Sequence, residues 1–201
     1  MRLEKSFYLR DDVVQISKDL LGKYLVTEWD QVRTAGKIVE TEAYRGPEDK
    51  ASHAYGNRFT SRTKVMYEEG GLAYVYLCYG IHHLFNVVTG PKGKPHAVLI
   101  RALEPVESLD LMLERRGIKK LQPRLTAGPG SLSKAMGIQT AHSGFSLLEG
   151  DSPIWLEDRD EPIVPEQIQA SPRVGVDYAE ECALWNWRFR IKNSKWTSLP
   201  K

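Results

Sequence analysis

Gly36-Lys37-Ile38-Val39-Glu40-Thr41-Glu42-Ala43-Tyr44, continuing through Gly46-Pro47 to His53, alternates as a strand does. At period two, Ile38, Glu40, Glu42 and Tyr44 share one face, and Val39, Thr41 and Ala43 share the other. Two carboxylates and a phenol on one side of a strand are unusual. In a core, unpaired carboxylates cost several kcal/mol or neutralise by shifting their pKa. Lining a cleft, they become candidates for acid or base chemistry. A third arrangement, pairing with Lys or Arg on a solvated edge, fits the alternation equally well.

On the N-terminal side, Asp11 or Asp12 caps a helix carrying Val13, Val14, Ile16, Leu20 and Leu21, with Gly22 as its stop. Tyr24 to Trp29 reads as a strand antiparallel to the opening stretch. On the C-terminal side, residues 45–64 form a long polar loop whose His53, Tyr55 and Phe59 argue against disorder. Gly71 to Cys78 and Leu84 to Val88 are strands, and Tyr79-Gly80 between them makes a hairpin with Tyr79 near its tip. His96 to Leu103 is a further strand, after which Pro105 starts a helix through Leu113 that Gly117 ends. Gly128-Pro129-Gly130-Ser131 turns into a short helix, Leu132 to Met136. Ser152 to Leu156 is a short strand, and Arg173 to Val176 and Trp187 to Ile191 are late strands or extended segments. No helix-turn-helix pattern is present, so contact with a duplex would come from strands and loops.

With 201 residues, 41% of them hydrophobic and 27% charged, the chain suits one domain spanning 1–201. No apolar run approaches the roughly 20 residues of a membrane span, and Met1-Arg2-Leu3-Glu4-Lys5 carries no signal region. Cys78 and Cys182 form no disulfide framework; Cys78 reads as a buried thiol, and a reducing cytoplasm fits. Net charge is only +2, but the charges segregate. Lys92, Lys94, His96 and Arg101 form one acid-free cluster. Arg115, Arg116, Lys119, Lys120 and Arg124 form a second, and Arg188, Arg190, Lys192, Lys195 and Lys201 a third. A modest net charge can thus hide a basic face.

A metal site is not expected: His82-His83 point to opposite strand faces, and no HExxH or paired CxxC occurs. The Gly128-Pro129-Gly130 turn lacks both the Walker lysine and dinucleotide spacing, so no nucleotide cofactor is expected. What remains is a carboxylate among rings. Glu42 and Tyr44 share a face, Tyr74 and Tyr76 share another, and His53 lies between in sequence. Tyrosines on strands more often pack than bind ligands. Together with a tip aromatic and basic flanks, however, the set suits an enzyme that extracts a base from a duplex. Extrusion costs a few kcal/mol, each base–aromatic stack returns roughly 1–3 kcal/mol, and a tip side chain can wedge the gap.

The run Ile38-Val39-Glu40-Thr41-Glu42-Ala43-Tyr44-Arg45-Gly46-Pro47-Glu48-Asp49 with Ala51-Ser52-His53 closely resembles the alkyladenine (3-methyladenine) DNA glycosylases, in their bacterial form. So do Tyr74-Val75-Tyr76 with Tyr79-Gly80, Arg101-Ala102-Leu103-Glu104-Pro105, Gly128-Pro129 and Arg173-Val174-Gly175-Val176, in order along nearly the whole chain. The resemblance implies an α+β fold: a single compact domain with a curved antiparallel β-sheet, open-barrel-like, and surrounding helices. It implies a monofunctional enzyme of base-excision repair with no metal and no organic cofactor, acting on double-stranded DNA that contains damaged bases. It implies that Glu42 is the general base for water, that Arg101 and the main chain near Val174 hold that water, and that Tyr44, His53 and Tyr76 wall the flipped-base pocket. Asn86 would disfavour guanine and Tyr79 would intercalate. Glu40, with no matched role, reads as structural and paired. The expected molecule is a cytoplasmic monomer, nucleoid-associated when on DNA. A non-catalytic DNA-binding module and a small-molecule hydrolase or transferase on the same scaffold are the competing possibilities.

Overall fold

Asp12, not Asp11, caps the helix near the N-terminus: its carboxylate accepts the backbone N–H groups of Val14 and Gln15, both at 3.0 Å. This helix, α2 (Val13–Asp19), follows a single turn, α1 (Lys5–Tyr8). The computed structural model describes residues 1–198, so Lys201 of the third basic cluster lies outside the described residues. Eight strands follow the expected order in part: β1 (Tyr24–Trp29), β2 (Val32–Arg45), β3 (Ala73–Cys78), β4 (His82–Thr89), β5 (His96–Glu107), β6 (Ile154–Glu157), β7 (Ile168–Ser171) and β8 (Arg188–Ile191). They form one antiparallel sheet, ordered β3-β4-β5-β2-β1-β6. β2 is long enough to serve two neighbours on one edge, β1 over its first half and β8 at Glu40 to Glu42, with β7 beyond β8. The sheet therefore branches and does not close. This is the expected α+β architecture, one compact domain.

Alternation along the strands divides the sheet into two faces. Ala73, Val75, Phe85, Val87, Val98 and Ile100 enter the main core. α2 packs there, as do α3 (Leu109–Arg116) and α4 (Pro129–Met136). Thr41 faces α2, where its hydroxyl donates to the Ser17 carbonyl at 2.8 Å. The intervening residues Tyr74, Val88 and Ala97 turn to the other face, where Ala54, Val65 and Met66 cover them. Residues 46–67 are thus a packed cover with two 3₁₀ turns, Tyr55–Asn57 and Lys64–Tyr67, rather than a bare loop.

Several expectations need correction. Ile38 does not share a face with Glu40; it joins Val39 and Ala43 in the main core. The cause is a bulge: Ile38 pairs with Leu103 and Glu40 with Ala102, leaving Val39 as an extra residue on β2. A second bulge follows on the partner, because Glu40 pairs with Ala102 but Thr41 with Ile100, which leaves Arg101 extra on β5. Pro105 does not start a helix. It lies inside β5 opposite Gly36, at a register shift, and the helix begins at Leu109. Gly36 lets the strands approach closely there, since a Cβ would fall 2.9 Å from the Leu103 Cβ. Arg173 to Val176 is irregular chain, while the late strand before it is β7. Cys78 is half-buried rather than buried.

Candidate active site

Neither carboxylate of the opening stretch meets solvent: Glu40 and Glu42 are both 0% exposed. Their partners separate them. Glu40 Oε1 accepts from Arg101 Nε at 2.9 Å, Arg188 Nε at 2.7 Å and the Ser198 hydroxyl at 2.8 Å, and Oε2 accepts the Ser198 N–H at 2.6 Å. It is paired, as the sequence suggested. Glu42 is held more loosely. The Val174 N–H donates to Oε1 at 2.8 Å, the Tyr44 hydroxyl to Oε2 at 2.8 Å, and Arg101 Nη1 to Oε2 at 3.3 Å. All three are donors, which an acceptor-only carboxylate accommodates. Burial, then the Glu42 charge, push the Tyr44 hydroxyl well above its ordinary pKa, so it remains a donor. Burial works against the Arg101 charge, but the Glu42 and Glu40 carboxylates outweigh it and hold its pKa up.

The bulge at Arg101 explains how one guanidinium reaches both carboxylates. An extra residue re-aims its side chain out of the regular ladder. Glu42, Leu99, Asn86 and Tyr74 form a row of paired residues across β2, β5, β4 and β3, so their side chains share a face. Asn86 is buried, and its amide donates to the Tyr74 and Leu84 carbonyls at 3.1 and 3.2 Å, which fixes the side chain. His53 comes down from the cover: its Nδ1 lies 2.7 Å from the Tyr74 hydroxyl, and its ring centre 4.6 Å from that of Tyr76. Tyr74 and Tyr76 are 5.5 Å apart. Burial, aided by Arg62 and Arg58, lowers the His53 pKa to about 4, so the ring is neutral near pH 7. Tyr79 stands at the β3–β4 tip, 90% exposed, three residues beyond Tyr76.

A family model described as methylpurine-DNA glycosylase matches residues 6–195. The chain belongs to the methylpurine-DNA glycosylase family. Its relatives include a protein of Chlamydia felis (strain Fe/C-56), 47% identical, the match covering 96% of this chain and 98% of the relative. One of Clostridium novyi (strain NT) is 46% identical with 98% of each chain covered, and one of Bacillus cereus (strain G9842) is 45% identical with 98% and 99% covered. All three carry the name "Putative 3-methyladenine DNA glycosylase". The protein is accordingly a DNA glycosylase for alkylated bases, a hydrolase of base-excision repair whose substrate is DNA. Among the described residues, no helix is long and apolar enough to cross a membrane.

The glycosylase has site neighbours that sequence reasoning missed. Arg188, 2% exposed, joins Glu40 from β8. Arg173 forms an ion pair with Asp49 in which both side chains are fully buried, and its Nη atoms also donate to the carbonyls of Ala43 and Cys182 at 2.9 and 3.0 Å. That clamp fixes the chain one residue before Val174 and also anchors the cover that carries His53. An arginine beside a matched motif residue was the one available signal, and it did not name the partner.

The basic clusters of the glycosylase resolve differently from one another. His96 and Arg101 are buried, and Lys92 and Lys94 pair with Glu68 and Asp11 at 3.1 and 3.0 Å, so the first cluster makes no free basic face. In the second, Arg115 and Arg116 donate to main-chain carbonyls, of Ala135 and of Leu125 and Arg124. They line a cleft of about 650 Å³ with Lys134, Ile81 and His82, beside the tip of the Tyr79 hairpin. His82 and His83 both engage this side. A Cβ on Gly130 would lie 2.9 Å from the His82 ring, and His83 Nδ1 accepts the Thr140 N–H at 3.1 Å. A second cleft, of about 570 Å³, lies beyond β8 and includes Trp185 and Trp187; neither cleft contains Glu42.

Proposed function

We propose that this glycosylase flips purines alkylated on a ring nitrogen, of the 3-methyladenine and 7-methylguanine type, out of duplex DNA and hydrolyses their N-glycosidic bond with a water activated by Glu42. The observation that carries the reading is the convergence on one buried carboxylate of donors from three separate segments: Tyr44 on β2, Arg101 on β5 and the Val174 main chain. A carboxylate so fixed can take a proton from water, and its charge stabilises the oxocarbenium-like sugar as the bond breaks. Arg101 and the main chain at Val174 orient the water between base and sugar.

A purine methylated at such a position is cationic, so it leaves without added protonation. Its charge favours contact with aromatic faces, worth roughly 0.5–2 kcal/mol each. Tyr44, Tyr76 and His53 supply such walls, and the depressed His53 pKa keeps that wall from repelling the cation. The fixed Asn86 amide crowds the exocyclic amine of guanine, which disfavours the unmodified base. The 7-methylguanine base carries the same amine and leaves despite it, because its positive charge weakens the glycosidic bond. Tyr79 wedges the vacated stack, and the cleft with Arg116 and Lys134 beside the tip of its hairpin suits the phosphate backbone. No lysine is among the groups named around Glu42, so the reaction ends at an abasic site. Incubation with methylated duplex DNA tests the proposal. Free 3-methyladenine and 7-methylguanine with uncut abasic strands support it, and no base release, or strand cleavage in step with release, contradicts it.

A further inference from the structure

Four charged side chains meet without solvent at the junction of β2, β5 and β8: Glu40 and Glu42 are 0% exposed, Arg188 2% and Arg101 7%. Two negative charges face two positive ones. We propose that Arg188 is a positioning residue for hydrolysis: by neutralising Glu40 it leaves the Arg101 guanidinium shared with Glu42. The inference rests on the reading of Glu42 as the base.

The geometry sets up a competition. Both arginines aim Nε at the same atom, Glu40 Oε1, at 2.9 Å from Arg101 and 2.7 Å from Arg188. Arg101 reaches Glu42 only with Nη1, at 3.3 Å, the longer of its two carboxylate contacts. An arginine between two buried carboxylates moves toward the one whose charge is less compensated. With Arg188 in place, Glu40 already has a cation and both donors of Ser198. Without it, Glu40 is the stronger attractor, and the planar guanidinium can turn both its Nε and an Nη to that carboxylate. Glu42 then keeps Val174 and Tyr44 but loses its nearest cation.

Strand register brings Arg188 to this place. It pairs directly with Glu42 across β2 and β8, so the two side chains share a face, and it reaches Glu40 along the diagonal. The other charged or titratable groups facing the cluster are Tyr44, Tyr76 and Arg173, toward Glu42, and Arg190, beside Arg188 and opposite Glu40. Arg188 also donates to the Ser198 carbonyl at 2.8 Å. A purely structural role in holding that segment is therefore the alternative to exclude.

Single-turnover base release measured across pH separates the two roles, using wild type, Arg188→Met, Arg188→Lys and the double variant Glu40→Gln/Arg188→Met, with melting curves for each. The proposal expects Arg188→Met to lose about tenfold at neutral pH and to move the acidic limb of the rate profile up by about one pH unit. It expects the double variant, which removes one charge of each sign, to regain most of that loss, and Arg188→Lys to keep the wild-type limb. A folded Arg188→Met with an unmoved limb, a double variant no better than the single, or a limb displaced equally in Arg188→Lys overturns it. Glu42→Gln run in parallel distinguishes the failures. If that variant is as active as wild type, the base reading falls and the positioning role with it; if it is inactive while the Arg188 results go against expectation, only the positioning role falls.

Discussion

Arg173 and Asp49 lie 124 residues apart in sequence and form an ion pair with neither side chain exposed. The same guanidinium stacks over the Tyr44 ring at 4.8 Å and precedes the main-chain N–H that holds Glu42. One side chain thus ties the cover over β3 and β4, the proposed pocket wall Tyr44 and a donor to the proposed base. Arg173→Met strands Asp49 as a buried charge, a change that costs about 3–5 kcal/mol. Urea unfolding at pH 7 measures it. A loss below about 1 kcal/mol would mean that Asp49 reaches water in the folded protein.

Tyr44→Phe keeps the ring and removes the hydroxyl that donates to Glu42 at 2.8 Å. A hydrogen bond to a charged group is worth about 1.5–3 kcal/mol, so the rate of base release should fall by roughly ten- to a hundredfold while affinity for lesion DNA changes little. Single-turnover rates and binding titrations make the comparison. An unchanged rate would remove Tyr44 from the machinery around Glu42.

His53 has a folded-state pKa of about 4, below its ordinary 6.5, chiefly because it is buried. Between those values the unfolded chain binds more protons than the folded one, so the stability that neutral His53 supplies is full above about pH 6.5 and is lost as pH falls through 4. An NMR titration of the imidazole carbons should give a midpoint near 4. A midpoint near 6.5 would show a solvated ring and would put the neutral pocket wall in doubt.

Tyr79 is 90% exposed in a left-handed turn conformation, φ 51°. Tyr79→Ala should therefore leave stability within about 1 kcal/mol, as surface changes do, while weakening binding to lesion-bearing duplex. Melting curves and binding titrations on the same preparation check both halves. A large loss of melting temperature, or undiminished affinity, contradicts the wedge.

Period-two alternation made β1 to β4 legible, with the Tyr79 hairpin between β3 and β4, and the pair Asp11-Asp12 marked the cap of α2 without choosing between them. It could not reveal the bulges at Val39 and Arg101, because a bulge is a mismatch between two strands and neither strand records it alone. Pro105 read as a helix start because its fixed φ and missing N–H suit a first helical turn. Within β5 it sits where the pairing with Gly36 already shifts, a position that suits a residue without an N–H. The choice between Glu40 and Glu42 was likewise invisible in the strand itself. It depends on Arg188 and Ser198, which approach from nearly 150 residues or more away.

The central claim is that Glu42, not Glu40, activates the water, and Glu42→Gln tests it most directly. Single-turnover release of 3-methyladenine from methylated duplex DNA should fall at least about a hundredfold, the low end for loss of a general base, while the variant still binds the lesion duplex. Release at the wild-type rate by a folded, DNA-binding Glu42→Gln would contradict the account.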